Sequence, residues 1–66
     1  MLFRSDAKKL LEYVKEAEQR AIDAYANIIK IADAHNEIGI RVQMENFLQD
    51  ETHHRDETAK ILQSWR

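Results

Sequence analysis

The sequence predicts an all-α protein, an antiparallel two-helix hairpin that pairs with a second copy into a four-helix bundle. Three observations support this prediction. The chain has 66 residues with no proline and one glycine, so little in it interrupts a helix. Its apolar residues recur in alternating steps of three and four, which is the spacing of a seam between packed helices. One turn-like segment, residues 35–39, divides the chain into two halves.

The predicted elements form one domain over residues 1–66. The first helix covers about residues 6–34, and Ser5 and Asp6 suit its N-cap. Residues 35–38 form the turn, in which Asn36 suits a left-handed stop or a cap of the next helix. The second helix covers about residues 38–64.

Polar side chains interrupt the predicted seam at three places, Glu18, Glu51 and His54. The seam positions are Leu11, Val14, Glu18, Ala21, Tyr25, Ile28 and Ala32, then Ile40, Met44, Phe47, Glu51, His54, Thr58, Ile61 and Trp65. If the chain folds back at Asn36, Glu18 and His54 both lie about 27 Å from the turn at 1.5 Å per residue. Glu51 precedes His54 by three residues and therefore faces the same side. We expect these side chains to form one cluster near the middle of the apolar face.

A hairpin has a single layer of helices, and its apolar face needs a cover. The simplest cover is an identical hairpin related by a two-fold axis. Each copy brings two carboxylates and one imidazole to the cluster. Without metal, burying this many carboxylates costs several kcal/mol for each unpaired charge. Two divalent cations would neutralise the four carboxylates of a dimer, so the cluster predicts a two-metal site.

The pattern resembles the di-iron carboxylate proteins of the ferritin-like superfamily, and most closely one half of a bacterioferritin subunit. The matching segments are "EQRAIDAY", which contains Glu18 and Tyr25, and "DETHH", which contains Glu51 and His54. Such bundles use a Glu from each of two helices and Glu-x-x-His from the other two. The short encapsulated ferritins, which form their iron site across a dimer interface, are similar in that a short chain supplies half of the site.

The resemblance implies a role for each of these residues. Glu18 would be a terminal carboxylate ligand, Glu51 the carboxylate that bridges both metals, and His54 the nitrogen ligand. Tyr25 would be a neighbouring hydrogen-bonding or redox-active group. The implied reaction is oxidation of Fe(II) to Fe(III) by dioxygen or peroxide, with two iron ions per dimer. Haem is not expected, because Thr52 occupies the position at which haem-binding bacterioferritins offer a methionine ligand.

The composition argues against several other classes of function. Ten basic residues are mixed with twelve acidic ones for a net charge of −2, and no basic stripe indicates nucleic-acid binding. No apolar run approaches the length of a membrane span, and no export signal is visible. The chain has no cysteine, which excludes disulfides and thiolate metal sites. We expect a cytoplasmic protein that forms a homodimer or a higher homo-oligomer.

Three alternatives remain open from the sequence. A metal-free hairpin could pair its buried carboxylates with histidines and serve only as a structural or interaction module. The same site could hold manganese, or iron with manganese, and remove peroxide, because oxygen and nitrogen ligands do not separate the two metals. The chain could also be a fragment of a longer protein.

Overall fold

Two long helices account for almost all of the chain. The computed structural model describes residues 4–65, in which α1 covers Arg4–Ala34 and α2 covers Ile38–Gln63. The predicted bounds lie within two residues of these, and the described part of the chain contains no strand. The hairpin measures 49 × 16 × 15 Å. Its length is that of a 31-residue helix, so the molecule is one layer of two antiparallel helices. The predicted all-α hairpin is confirmed.

The turn is a Schellman motif centred on Asn36. This residue has a φ of 59°, the left-handed conformation that the sequence analysis considered for it. The Glu37 N–H donates to the Ala32 carbonyl at 2.8 Å, and the Asn36 N–H donates to the Asp33 carbonyl at 3.2 Å. These two bonds satisfy carbonyls that the end of α1 would otherwise leave unpaired.

An arginine joins the two sides of the turn. Arg41 Nη1 lies 2.9 Å from Asp33 Oδ1, and Arg41 Nε lies 3.6 Å from Glu45 Oε1. The first contact links the last turn of α1 to the first turn of α2. It therefore supports the angle at which the chain reverses.

The contact between the helices buries few residues completely. Of the residues whose burial the structure describes, Ala32 and Thr58 alone are buried, at 4% and 8% exposure. Tyr25 and Phe47 pack across the hairpin with ring centroids 5.8 Å apart. One hairpin therefore has very little core of its own.

One side of the hairpin, which we call the open face, carries two rows of mainly apolar side chains, and the large apolar ones among them are exposed. Its members are Leu10, Val14, Ala17, Ala21, Ala24, Ile28 and Ile31 on α1, and Ile40, Phe47, His54 and Ile61 on α2. The α1 members continue the three-and-four spacing, and the α2 members recur every seven residues. Both rows lie on the same side, because Ile28, Ile31 and Ile40 line one apolar cleft near the turn.

The opposite groove between the helices is charged. Its lining includes Lys8, Glu12, Lys15 and Arg55. Arg55 Nη1 donates to Gln19 Oε1 at 2.9 Å and links the two helices there. The hairpin thus has one polar side, suited to water, and one apolar side that lacks a cover. Neither helix in the described residues has an apolar stretch long enough to cross a membrane.

Replacing Asn36 tests the turn. Asn36→Ala should lower the free energy of unfolding by about 1 kcal/mol, because a side chain with a Cβ but no local hydrogen bond is disfavoured at this φ. Asn36→Gly should keep the stability of the wild type. The measurement is urea denaturation at one protein concentration. The control is Asn46→Ala, at an exposed position inside α2, which should not destabilise the protein. An equal loss in both alanine variants would contradict the role assigned to the turn.

Candidate metal centre

Glu18 lies on the side of α1 that faces α2, and its carboxylate has too few partners. Glu18 Oε1 accepts a hydrogen bond from Thr58 Oγ1 at 3.4 Å. Glu18 Oε2 is buried and has no hydrogen-bond partner among the described residues. An ionised carboxylate offers about four lone-pair sites. A half-buried carboxylate with a single long hydrogen bond therefore has lone pairs available to a cation.

The hydroxyl of Thr58 is shared between two acceptors. Its oxygen lies 3.0 Å from the His54 main-chain carbonyl and 3.4 Å from Glu18 Oε1. A hydroxyl has one proton and donates it to one acceptor at a time. Whenever the proton bonds to the carbonyl, Glu18 has no donor from Thr58.

Glu51 and His54 form a pair on successive turns of α2. Glu51 Oε1 lies 3.8 Å from His54 Nδ1, and the two side chains are 27% and 56% exposed. His54 occupies the open face between Phe47 and Ile61, each seven residues away. A second molecule that covered the open face would therefore bury an imidazole with a carboxylate beside it.

The Glu18 carboxylate contacts α2 at Thr58, one turn farther from the loop than His54. The common height of Glu18 and His54 stays a prediction. Helical side chains lean toward the N-terminus of their own helix. In an antiparallel pair, Glu18 therefore leans away from the turn and His54 leans toward it. Within residues 4–65 of one chain, no three His, Cys, Asp or Glu side chains form a group that could hold a metal ion.

Tyr25 lies seven residues after Glu18 on the same side of α1 and is partly buried. Its ring contacts Phe47 of the open face. His53, which precedes the candidate ligand His54, points elsewhere. Its Nε2 pairs with Glu57 Oε1 at 3.0 Å, and both side chains are mostly exposed. Tyr25 therefore belongs to the side of the hairpin that carries the candidate donors, and His53 does not.

Two contacts in the structure lie outside the predictions made from the sequence. Thr58 was a polar residue at a seam position, and that signal could have suggested a partner for a buried carboxylate. The bond between Arg55 and Gln19 had no such signal, because both residue types are common on solvated helix faces.

The donor types of one chain suit a divalent metal, but two copies are needed to supply enough donors for a di-metal site. Carboxylate oxygen and imidazole nitrogen are ligands for Fe(II) and Mn(II). The unpartnered Glu18 Oε2 is the observation that favours a cation here. Glu18, Glu51 and His54 of one chain correspond in residue type to half of the ligand set of a di-metal bundle.

The fold defines a class, the antiparallel helical-bundle proteins, and the donors on its facing helices are of the kinds that bind metal in some members of that class. The chain belongs to the ferritin-like family, since the family model described as Ferritin-like domain matches residues 2–66. Comparisons with curated proteins and with solved structures gave no match. The ferritin-like resemblance predicted from the sequence is confirmed. The closer likeness to half of a bacterioferritin is consistent with the match and stays a prediction.

The effect of the Glu18 carboxylate on the free energy of unfolding can be measured in metal-free protein. Glu18→Met should raise the free energy of unfolding by about 1–3 kcal/mol, because an apolar side chain of similar size removes a buried and poorly paired charge. The matched control is Glu16→Met, at an exposed position on the same helix, which should change stability by less than about 0.5 kcal/mol. Denaturation with a chelator present gives both values. A loss of stability in Glu18→Met would show that the carboxylate is well satisfied.

Proposed function

We propose that this protein is a ferroxidase, which oxidises Fe(II) to Fe(III) with dioxygen or peroxide at a two-metal site shared by two copies. The observation that carries the proposal is the position of His54. It interrupts an exposed apolar row at its centre, with Glu51 beside it, on a hairpin of the ferritin-like family. An imidazole in a surface that a partner covers would be well placed to bind a metal ion.

The dimer follows from the open face. Phe47 and Ile61 are 40% and 47% exposed, and so little of the hairpin is buried that a lone copy is poorly stabilised. An identical hairpin carries the same two rows and can cover them through a two-fold axis. His54 lies near the middle of the hairpin, so an axis through this level brings both donor sets together. Each site would then be incomplete without the partner copy.

Each copy would contribute Glu18, Glu51 and His54 to hold two iron ions per dimer. The four carboxylates balance the charge of two divalent ions, and the imidazoles add neutral nitrogen ligands. The apolar residues of the open face would limit the entry of water. Tyr25, one heptad from Glu18, would supply a phenol that can donate a hydrogen bond or an electron.

The reaction balances with iron as the substrate. Two Fe(II) ions each lose one electron, and dioxygen accepts both together with two protons to give hydrogen peroxide. When peroxide is the oxidant, it accepts two electrons and two protons and gives two molecules of water. The same donors accept Mn(II), so manganese is the competing substrate in any test.

Anaerobic titration of metal-free protein with Fe(II), followed by exposure to oxygen, tests the proposed reaction. We expect saturation near one Fe per chain and rapid, oxygen-dependent appearance of diferric absorbance. Glu51→Ala and His54→Ala should each abolish both signals, because each removes a ligand from both metals. His53→Ala is the control, since His53 is adjacent but pairs with Glu57 at the surface. The same titration with Mn(II) compares the two metals.

Absence of metal binding would contradict the proposal. An intact helical oligomer without saturable Fe(II) or Mn(II) uptake would rule out the ferroxidase and the manganese forms of the proposal. The chain would then be a packing module whose interface contains carboxylates and imidazoles.

Two matched valines test whether the site needs the dimer. Val14 lies on the open face and is 42% exposed, whereas Val42 is 45% exposed and lies about 160° from Ile40 around α2. Val14→Asp should shift sedimentation toward the monomer and remove Fe(II) binding, because it places an unpaired charge in the covered face. Val42→Asp should retain both properties. Full Fe(II) binding by a monomeric Val14→Asp protein would contradict a shared site.

A further inference from the structure

The Thr58 hydroxyl contacts both helices at the candidate site. It is one of the two buried residues of the described chain, at 8% exposure. Its oxygen lies within hydrogen-bond distance of the Glu18 carboxylate on α1 and of the His54 carbonyl on α2. One side chain thus links the helix that carries one candidate ligand to the main chain of another candidate ligand.

The charge of Glu18 favours donation toward it. The carbonyl is the nearer acceptor, at 3.0 Å against 3.4 Å. A bond to an ionised acceptor is about twice as strong as one between neutral groups. The His54 carbonyl also lies within α2, where a threonine bond to the carbonyl four residues earlier is an optional addition to the helix. Rotation of the hydroxyl proton about the Cβ–Oγ1 bond transfers the hydrogen bond from the carbonyl to Glu18.

Such a bond would leave the two carboxylate oxygens with different tasks. Glu18 Oε1 is held by Thr58, while Glu18 Oε2 is buried without a partner. Carboxylates that bind metals are commonly oriented by hydrogen bonds from neighbouring groups. The arrangement in this chain suits a carboxylate that binds through one oxygen.

We propose that Thr58 is a positioning residue, which holds Glu18 Oε1 so that Glu18 Oε2 is available to the metal ion. This inference rests on the proposed function for its metal-binding readout. It assigns a role to a residue outside the predicted ligand set.

The test compares Thr58→Val, which removes the hydroxyl at nearly constant volume, with Thr58→Ser, which retains it. The probe is Co(II) alone, followed by its visible absorbance, because it binds to oxygen and nitrogen ligands without reacting with oxygen. Thr58→Val should weaken Co(II) binding by roughly ten- to a hundredfold, the range found when a group that orients a metal ligand is removed. Thr58→Ser should recover most of that loss.

Thr52 offers a matched control on the same helix. Thr52 Oγ1 donates to the Leu48 carbonyl at 2.8 Å, the same bond to the fourth preceding residue, but it has no contact with Glu18. Thr52→Val should leave Co(II) affinity within about twofold of the wild type. Equal or tighter Co(II) binding in Thr58→Val, or an equal loss in Thr52→Val, would overturn the positioning role.

A metal-free measurement separates this inference from the ferroxidase proposal. A double-mutant cycle of Glu18→Met and Thr58→Val, each of which removes the hydrogen bond, reports their coupling in the unfolding equilibrium constant. We expect a coupling of at least about twofold, the smallest that such cycles resolve. If the wild type binds no metal but the coupling is present, the ferroxidase proposal fails and the contact between Thr58 and Glu18 stands. Absence of coupling would overturn the positioning role whatever the metal titrations show.

Discussion

The structure depends on one constraint, that two helices cannot bury both sides of the layer they form. Ala32 and Thr58 are the buried residues of the described chain, and large apolar side chains stay exposed along the open face. A second layer must therefore come from elsewhere, and an identical hairpin would supply it with no additional sequence. The candidate donors lie in or beside this face, so in the proposed dimer one association would complete both the core and the site.

Glu18, between the helices, and His54, on the open face, are both polar residues at positions where an apolar side chain would pack more simply. An apolar side chain in place of Glu18 would avoid a buried carboxylate oxygen without a partner. An apolar residue in place of His54 would continue the row formed by Ile40, Phe47 and Ile61. The chain instead has oxygen and nitrogen donors at these two positions. A cation is the component that would make such a core favourable.

The sequence predicted the hairpin well because its signals are local. Two helices and a turn follow from three such signals. The chain has no proline, its apolar residues are spaced by three and four, and Asn36 can adopt the left-handed conformation. Backbone distances from the turn do not include the lean of helical side chains, so they could not predict that Glu18 contacts Thr58. The contacts of Glu18 with Thr58 and of Gln19 with Arg55 depend on the exact rotation of each helix. Residue spacing alone does not fix that rotation to within one side chain.

The place of His54 on the open face has a consequence for how the protein responds to its own abundance. In the proposed dimer, metal binds to the pair and not to the separate hairpins, so binding and association are thermodynamically linked. Metal affinity then rises with protein concentration, and metal in turn tightens the dimer. A dilute chain would release iron that a concentrated one retains, which makes the amount of protein itself a control on the chemistry.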